Sequence, residues 1–242
     1  MKIIVMKFGG TSLAEPEKIK VAADKIISAK KKGFKVIAVV SAPSGITDDL
    51  IRLSRSMSLK PQKRELDALI STGERISSSL MAMAISAKGH KAVSLDASQA
   101  GIKTDDTHVS ADIIAVNTKR ISLELKKGKI VVIAGFQGID SKSDVTTLGR
   151  GGSDFTAVAV AKAIKADICE LYTDVKGIYA TNPATDPKAK KIKKINYDDL
   201  IKLSKKGTEV RQIKAVRYAG KHLVPLHIRS SFHSETGTFI TA

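Results

Sequence analysis

The chain has 242 residues, of which 43% are hydrophobic and 27% charged, and this composition excludes intrinsic disorder as its main state. Its single cysteine, Cys169, excludes an internal disulfide framework and a cysteine-based zinc cluster. No apolar run approaches the roughly 20 residues that a membrane-spanning helix needs. Because the N-terminus leads directly into a predicted strand, without the layout of a signal peptide, we expect a soluble cytoplasmic protein that contacts no membrane.

The charge is strongly positive, since 41 Lys and Arg residues against 24 Asp and Glu residues give a formal net charge of +17. Such a charge would suit a nucleic-acid partner. However, the lysines are scattered near the ends of different predicted elements, and no aromatic–basic interleaving that would stack bases is present. Several lysine runs close predicted helices, where cations are favoured, so we expect no nucleic-acid partner.

Predicted strands and helices alternate along the first third of the chain. A β-branched run at residues 3–6 predicts a strand, and apolar residues at helical spacing predict a helix over residues 16–32. The apolar run 36–40 predicts a strand buried on both faces. Helical stretches are expected over residues 46–57 and about 65–87.

The alternation continues to the end of the chain. We expect residues 96–106 to be irregular, residues 112–125 to be a mixed helical segment, and residues 135–152 to be a loop. A turn at Asn182 and Pro183 leads into a lysine-rich stretch. The remaining predicted elements are strands over residues 91–95, 130–134, 168–172, 223–228 and 237–241, and helices over residues 154–166, 197–205 and 210–219.

Strands that alternate with helices predict an α/β fold, here a three-layer αβα sandwich with a mostly parallel, open central sheet. We expect residues 1–242 to form a single domain. Sheets of this kind bind ligands beyond the carboxyl ends of their strands. The candidate site therefore lies in four loops that carry glycine, hydroxyl or charged residues, those after Met6, Val40, Ala134 and Tyr172.

The loop after the first predicted strand combines a lysine with two glycines. Lys7 is followed closely by Gly9 and Gly10, and such glycines let the backbone approach an anion. The lysine would place a cation over the same phosphates. The sequence supports this interpretation and a plain tight turn with a solvated lysine about equally.

The second loop and the long helical stretch after it offer groups for a small acid or amine. Ser41 and Thr47 would bind a small acid or cap the next helix, and capping is the better interpretation for at least one hydroxyl of this loop. Glu74 is either an exposed helix acid, the commoner case, or the group that holds a substrate ammonium.

The loop at residues 146–154 places three glycines around one arginine. The fork of Arg150 suits a carboxylate or a phosphate, and the glycine density favours a functional loop. Asp154 would interact with a helix dipole or orient a cation at the reacting centre. In the next loop, Asp174 and Tyr179 would contact a nucleotide base or ribose, or belong to a plain turn.

The other residues that carry chemistry form no recognisable site. The five histidines lack metal-ligand spacing, so we expect no protein-bound metal, and no Ser-His-Asp arrangement is indicated. Cys169 lies in a predicted strand and is expected to be a buried small apolar residue.

These segments, in this order, resemble the catalytic domain of aspartate kinases, in the amino-acid kinase superfamily. The resemblance covers nearly the whole chain. It implies the amino-acid kinase fold, ATP with Mg²⁺, a homodimer, and phosphorylation of the L-aspartate β-carboxylate to 4-phospho-L-aspartate, the first step towards lysine, methionine and threonine. The segments that carry it are residues 7–12, 39–47, 71–74, 99–105, 135–138, 146–154, 172–179 and 229–238.

The resemblance also implies roles for individual residues, with the amino acid bound by the N-terminal part of the chain and the nucleotide by the C-terminal part. Lys7 would neutralise charge on the transferred phosphoryl group, and Asp154 would hold Lys7. Arg150 would clamp the α-carboxylate of aspartate and Glu74 its ammonium. Further substrate contacts would come from Ser41, Thr47 and Ser153, and nucleotide contacts from Lys7, Gly9, Gly10, Thr173, Asp174 and Tyr179.

The chain departs from the family pattern at two positions that are associated with nucleotide phosphates. Ala184 stands where the family often has an arginine, and Glu209 stands where it often has a lysine. Candidate substitutes for these cations are Lys188, Arg211 and Lys214. The sequence also ends where ACT regulatory domains begin in many aspartate kinases, so we expect no ACT domain and no feedback inhibition by lysine or threonine.

Two other functions stay open at this point. The same fold would serve an enzyme with another small acceptor, although Arg150 and Glu74 together favour an α-amino acid. The loss of two cations would also suit a nucleotide- or amino-acid-binding subunit with little catalysis. Retention of Lys7 and Asp154 argues against that second alternative.

Overall fold

A central sheet of eight strands organises the molecule, and a computed structural model describes residues 2–181, 186, 188–205 and 213–242. The strands are β1 (Ile3–Phe8), β2 (Lys35–Val40), β3 (Ala92–Leu95), β4 (Ile102–Thr104), β5 (Ile113–Val116), β6 (Ile130–Ala134), β7 (Gln137–Ile139), β8 (Val145–Thr147), β9 (Ile168–Thr173), β10 (Ile178–Tyr179), β11 (Lys191–Ile192), β12 (Lys194–Asn196), β13 (Leu226–Ser230) and β14 (Thr238–Thr241).

Helices connect most of the strands of the central sheet. A 3₁₀ turn at Gly10–Leu13 precedes the first of them. The α-helices are α1 (Pro16–Lys31), α2 (Ile46–Met57), α3 (Lys63–Ile70), α4 (Thr72–Ala87), α5 (Ala97–Ala100), α6 (Lys119–Lys126), α7 (Gly152–Ile164), α8 (Tyr197–Lys205) and α9 (Ile213–His222). Within the described ranges, no helix is long and apolar enough to cross a lipid bilayer.

The central sheet is mostly parallel, as the alternation of elements predicts. Its strand order is β12-β14-β13-β9-β1-β2-β6-β3, and of these neighbouring pairs only β13 with β14 is antiparallel. The strand β1 therefore lies inside the sheet, between β2 and β9. The carboxyl ends of β1, β2, β6 and β9 meet at one edge, where the predicted ligand loops begin.

Each face of the sheet buries an apolar cluster under helices. On one face, α1 and α4 cover the sheet, with Ile26 and Met81 fully buried. On the other face, α6, α7, α8 and α9 cover it, and Val160 and Ala219 belong to that core. This arrangement confirms the predicted three-layer αβα sandwich.

A second sheet, with the order β5-β4-β7-β8, is the main feature that the sequence pattern misses. Residues 96–106 contain α5 and β4, and residues 135–152, predicted as a loop, contain β7 and β8. The predicted mixed helical segment 112–125 begins with the strand β5, because the β-branched side chains of Ile113, Ile114 and Val116 favour extended backbone.

The predicted helix over residues 65–87 is two helices, α3 and α4, separated at Ser71. The hydroxyl groups of Ser71 and Thr72 donate to the carbonyl groups of Ala68 and Leu69, at 3.0 and 2.7 Å. Such side-chain donors compete with the backbone ladder and bend helices. The carbonyl of Ser71 also accepts from Gln137 Nε2 at 2.9 Å, which ties the break to β7.

The last part of the chain follows the predicted elements with shifted ends. The lysine-rich stretch forms β11 and β12, and the final strands start three residues and one residue later than predicted. The predicted start of the helix over residues 210–219 lies outside the described residues. So do Ala184, Glu209 and Arg211, the positions that bear on the departures from the family pattern.

Gly101 lies where two backbone segments of the second sheet approach each other closely. It has a φ of 71°, and a Cβ there would overlap the carbonyl oxygen of Asn117, next to β5. Gly128 has a φ of 77° but no atom within 4 Å of such a Cβ. We expect Gly101→Ala to lower the free energy of unfolding by about 1–3 kcal/mol more than Gly128→Ala, because both share the backbone strain but only one is overpacked.

Urea unfolding of the two variants and the parent protein measures this difference. Equal losses of stability for Gly101→Ala and Gly128→Ala would show that the close approach to Asn117 is not present in solution.

Candidate active site

The four predicted loops converge on one open cavity of about 790 Å³ at the carboxyl edge of the central sheet. A backbone hydrogen bond from Gly9 N–H to the carbonyl of Tyr172, at 3.3 Å, joins the loops after β1 and β9. The cavity is lined by Lys7, Gly9, Gly10, Thr11, Ser41, Ser44, Phe136, Gly149, Arg150, Gly151, Gly152, Ser153, Asp154, Tyr172, Thr173 and Asp174.

Lys7 and Asp154 form a buried ion pair in this cavity. Lys7 Nζ lies 2.8 Å from Asp154 Oδ1, and each side chain is 9% exposed. Lys7 comes from β1, and Asp154 comes from the first turn of α7, where a carboxylate also interacts favourably with the helix dipole. Asp154 therefore lies at a helix N-terminus and also pairs with a cation, so its position agrees with both interpretations from the sequence.

Glycines let the loops approach each other around this pair. A Cβ on Gly10 would lie 2.8 Å from the carbonyl oxygen of Ala42, and one on Gly152 would lie 2.8 Å from the ring of Phe136. The loops after β1 and β2 are thus in direct backbone contact, and the start of α7 packs closely on the Phe136 side chain. A side chain at either glycine would force these segments to shift.

Arg150 supplies a cation that the protein does not neutralise. It is exposed in the turn before α7, it lines the cavity, and no acid pairs with it within the described ranges. Its neighbours Gly149 and Gly151 have φ angles of 71° and 75°, a backbone that favours glycine. The loop therefore holds a free guanidinium beside the Lys7 cavity.

Glu74 lies behind the second loop, and it is buried rather than exposed. Its Oε1 accepts a hydrogen bond from Ala42 N–H at 2.9 Å, whereas Oε2 is buried and has no hydrogen-bond partner in the described part of the chain. Gly73 makes this approach possible, since a Cβ there would lie 2.8 Å from the Cβ of Ala42. Buried oxygens without partners are rare, which makes this one a candidate contact for a ligand.

Burial raises the pKa of Glu74 to about 7, against a reference value of 4.5. The backbone N–H groups of Ala42 and Glu74 and the positive charge of Lys7 lower the pKa in part, but they do not offset burial. The carboxyl is thus held near its titration point at neutral pH. A cation bound to Oε2 would favour the ionised form.

The structure does not bring every predicted residue to the cavity. Thr47 lies in the first turn of α2, Tyr179 on β10 and Glu74 behind the loop after β2, and none of the three lines the cavity. Lys214 pairs with Asp112 at 2.5 Å, Lys188 is exposed, and neither lines the cavity. Ser41, Ser153, Thr173 and Asp174 do line it.

Sequence reasoning misses four lining residues: Thr11, Ser44, Phe136 and Tyr172. The first two lie in loops already singled out, so their hydroxyls were available as a signal. Phe136 lies two residues after the end of the fully apolar strand β6, and it has a φ of 67°, a conformation that is uncommon outside glycine. Such backbone strain concentrates at functional sites, but a sequence does not reveal it.

No group of three or more His, Cys, Asp or Glu residues in the described ranges is placed to hold a metal ion. His108 and His227 contact Asp67 and Glu170 instead, at 2.8 and 3.2 Å. Cys169 is buried in the core on β9, as predicted, and burial raises the pKa of its thiol.

The raised pKa of Glu74 predicts a pH-dependent stability. A carboxyl whose pKa is higher in the folded than in the unfolded state binds more protons when folded, so stability falls as pH rises from about 4.5 to 7. Glu74→Gln mimics the protonated form. We expect it to exceed the parent protein by up to about 3 kcal/mol at pH 8 and to differ little at pH 5.

Urea unfolding at pH 5 and pH 8 measures this effect, with the exposed Glu65→Gln as the matched control. A stability difference between Glu74→Gln and the parent that is the same at both pH values would contradict the burial of an ionisable Glu74.

Comparisons with known proteins agree with this architecture. The model of the amino acid kinase family matches residues 2–230. The chain is 47% identical over 240 residues to aspartokinase 2 of Bacillus subtilis (strain 168), a match that covers 99% of this chain and 59% of that protein. The chain therefore spans less than two thirds of the length of this curated relative.

Solved structures give the same result. The crystal structure of aspartate kinase from Synechocystis matches with a TM-score of 0.89 and 39% identity, over 99% of this chain and 40% of that chain. E. coli aspartokinase III, in complex with aspartate and ADP, matches with a TM-score of 0.88 and 26% identity, over 99% of this chain and 64% of that chain. The resemblance predicted from the loop motifs is confirmed, and the chain belongs to the amino acid kinase family.

Proposed function

We propose that this chain transfers the terminal phosphoryl group of ATP to the β-carboxylate of L-aspartate, giving 4-phospho-L-aspartate and ADP, the first step towards lysine, methionine and threonine. The observation that carries the proposal is a set of charges in and behind one cavity. The Lys7–Asp154 pair and the free Arg150 line the cavity, and the half-satisfied Glu74 lies behind the loop at Ala42. The similar E. coli enzyme binds aspartate and ADP, which supports both substrates.

The amino acid is recognised as a zwitterion. Arg150 offers a planar, bidentate cation for the α-carboxylate, and Glu74 Oε2 offers a buried anion for the α-ammonium. Ser41 and Ser153 line the cavity and supply hydroxyl groups for the same ligand. This pair of opposite charges favours an α-amino acid over a small acceptor that lacks an ammonium.

Phosphoryl transfer needs alignment and charge neutralisation here, and no general base. The reference pKa of an aspartate carboxyl is about 3.9, so the nucleophile is already ionised at neutral pH. Lys7 faces the cavity beside Gly9, where a Cβ would lie 3.6 Å from its Nζ. The ammonium of Lys7 and the N–H groups of Gly9 and Gly10 would stabilise charge on the transferred group.

The nucleotide is proposed to lie along the loop after β9, with Thr173 and Asp174 on the cavity and Tyr179 beyond it. Mg²⁺ bound by ATP takes most of its ligands from phosphates and water, so it needs no cage of protein ligands. Asp174 lines the cavity, pairs with no cation in the described ranges, and is the carboxylate available to that ion. The Mg²⁺ would neutralise phosphate charge.

One catalytic domain over residues 1–242 and a cytoplasmic location are parts of the same proposal. A subunit that only binds its ligands is disfavoured, because a buried Lys7–Asp154 pair carries a desolvation cost that ligand binding alone does not require.

Two substitutions separate catalysis from recognition. With hydroxylamine trapping of the acyl phosphate, we expect Lys7→Ala to lower kcat by at least about 100-fold, because charge on the phosphoryl group is no longer neutralised. We expect Glu74→Ala to raise the KM for aspartate about 10- to 100-fold, since the ammonium loses its charged partner.

Lys60→Ala and Glu65→Ala, both at exposed positions outside the cavity, are the matched controls. If the parent protein makes no hydroxamate with aspartate but binds ATP, the acceptor is a different one. If it binds neither substrate, the catalytic assignment fails.

A homodimer through α4 is proposed as well. Ile76, Leu80 and Met83 are exposed large hydrophobic residues spaced along one face of this helix. Leu80 also lines an apolar cavity of about 260 Å³ beside the helix, together with Leu13 and Pro16. A two-fold axis would place the projecting side chains of each copy against the cavity of the other.

Light scattering after gel filtration tests the dimer. We expect the parent protein to have the mass of a dimer and Leu80→Glu/Met83→Glu to have that of a monomer, because two buried charges would oppose association. Leu59→Glu, at an exposed loop position, should stay dimeric. A monomeric parent protein would contradict the assignment.

A further inference from the structure

Asp67 is a buried carboxylate on α3 that the proposed reaction does not use. It is 0% exposed, and it does not line the cavity. Its Oδ1 accepts from Thr147 Oγ1 at 2.5 Å, and its Oδ2 accepts from Val109 N–H at 2.9 Å and lies 2.8 Å from His108 Nδ1. One carboxylate thus joins α3 to two segments that lie 41 to 80 residues further along the chain.

The carboxylate holds Val109 in a strained conformation. Val109 has a φ of 74°, in the left-handed region that β-branched residues rarely adopt. Strain of this kind persists only where surrounding contacts impose it. Both oxygens of Asp67 lie within 3.2 Å of Val109 N, and they impose it here.

Val109 and Thr147 together fix the start of the loop that carries Arg150. The carbonyl of Thr147 accepts from Ala111 N–H at 2.9 Å, so this residue is held through both its side chain and its backbone. Gly149 packs on the strained residue, since a Cβ there would lie 3.4 Å from the carbonyl oxygen of Val109. Arg150 comes next, and it has no acid partner of its own in the described ranges.

We propose that Asp67 is a positioning residue for Arg150: through Thr147 and Val109 it fixes where the guanidinium enters the cavity, and thereby the affinity for the amino-acid carboxylate. This inference rests on the proposed function, in which Arg150 binds the α-carboxylate of aspartate. It assigns no role to Asp67 in phosphoryl transfer, because Lys7 and Asp154 are held by β1 and α7.

Asp67→Asn tests the proposal, because a positioning role should change the KM for aspartate but not kcat or the KM for ATP. The amide group would turn an N–H₂ towards Val109 N–H or Thr147 Oγ1 and remove an acceptor. We expect the KM for aspartate to rise at least about tenfold, while kcat and the KM for ATP stay within about twofold. An unchanged KM for aspartate, or an equal rise in the KM for ATP, would overturn it.

Glu124→Gln is the matched control for loss of a buried carboxylate. Glu124 is 1% exposed and contacts Arg120 and Lys129 at 2.9 and 2.8 Å, next to the start of β6 and away from the cavity. We expect this variant to lose thermal stability with no change in the KM for aspartate. A matching rise in that KM would show that general destabilisation explains the effect.

A second substitution that restores the KM for aspartate would distinguish a positioning role for Asp67 from a merely structural one. Glycine adopts a φ of 74° without strain, so Asp67→Asn/Val109→Gly should recover the KM for aspartate to within about threefold of the parent. Failure of this rescue would count against the strained residue as the link. If Asp67→Asn does not fold, the test uses Thr147→Val, which removes only the hydroxyl that donates to Asp67. An unchanged KM for aspartate in Thr147→Val would then overturn the proposal.

Hydrogen exchange tests the positioning role of Asp67 even if the proposed function proves wrong. If the parent protein makes no hydroxamate with aspartate, the proposed function fails, and the loop is then followed by mass spectrometry of a peptide over residues 146–152. Faster exchange in Asp67→Asn than in Glu124→Gln supports the positioning role. Equal exchange in the two variants overturns it.

Discussion

The ion pair between Lys7 and Asp154 is the interaction on which the rest of the site depends. Its two charges lie 2.8 Å apart with side chains that are 9% exposed, so either one alone would be a costly buried charge. The pair therefore requires β1 and α7 to keep a fixed relation. Pairing of β1 with β2 and β9 on both sides, and packing of α7 on the sheet, provide that relation.

Around this ion pair the fold leaves two charged groups without a full set of protein partners. Glu74 has one oxygen bound by the backbone and one free, and burial raises its pKa to about 7. Arg150 has no acid partner in the described ranges. Neither arrangement favours the folded state by itself, so the stability has to come from the two apolar clusters beneath the loops. Groups left incomplete by the protein are the ones that a ligand of opposite charge completes.

The sequence predicts the central architecture well because its signals are local and long. The runs that become α1, β2 and β6 have clear periods or continuous apolar residues, and their observed ends lie within one residue of the predicted ones. The four ligand loops follow from the parallel topology alone. The second sheet escapes prediction, since strands of three or four residues such as β4 and β7 have too few positions to show a period, and their pairing is non-local.

Individual site residues are predicted less well, since a residue type does not determine a side-chain environment. For Glu74 the sequence favours an exposed helix acid, with a group that holds a substrate ammonium as the alternative. The structure buries it, next to the close approach of Gly73 to Ala42. Phe136 and Tyr172 line the cavity through their positions at strand ends.

The two sheets position different charged residues of the candidate site. Lys7 belongs to the central sheet, whereas Arg150 follows β8 of the second sheet, whose edge is fixed by Asp67. Lys7, proposed to act on the phosphoryl group, and Arg150, proposed to bind the amino acid, thus come from different sheets, and α7 links the two through Asp154. Because interactions that share no partners act nearly independently, we expect changes in the second sheet to affect the proposed amino-acid recognition more than the Lys7–Asp154 pair.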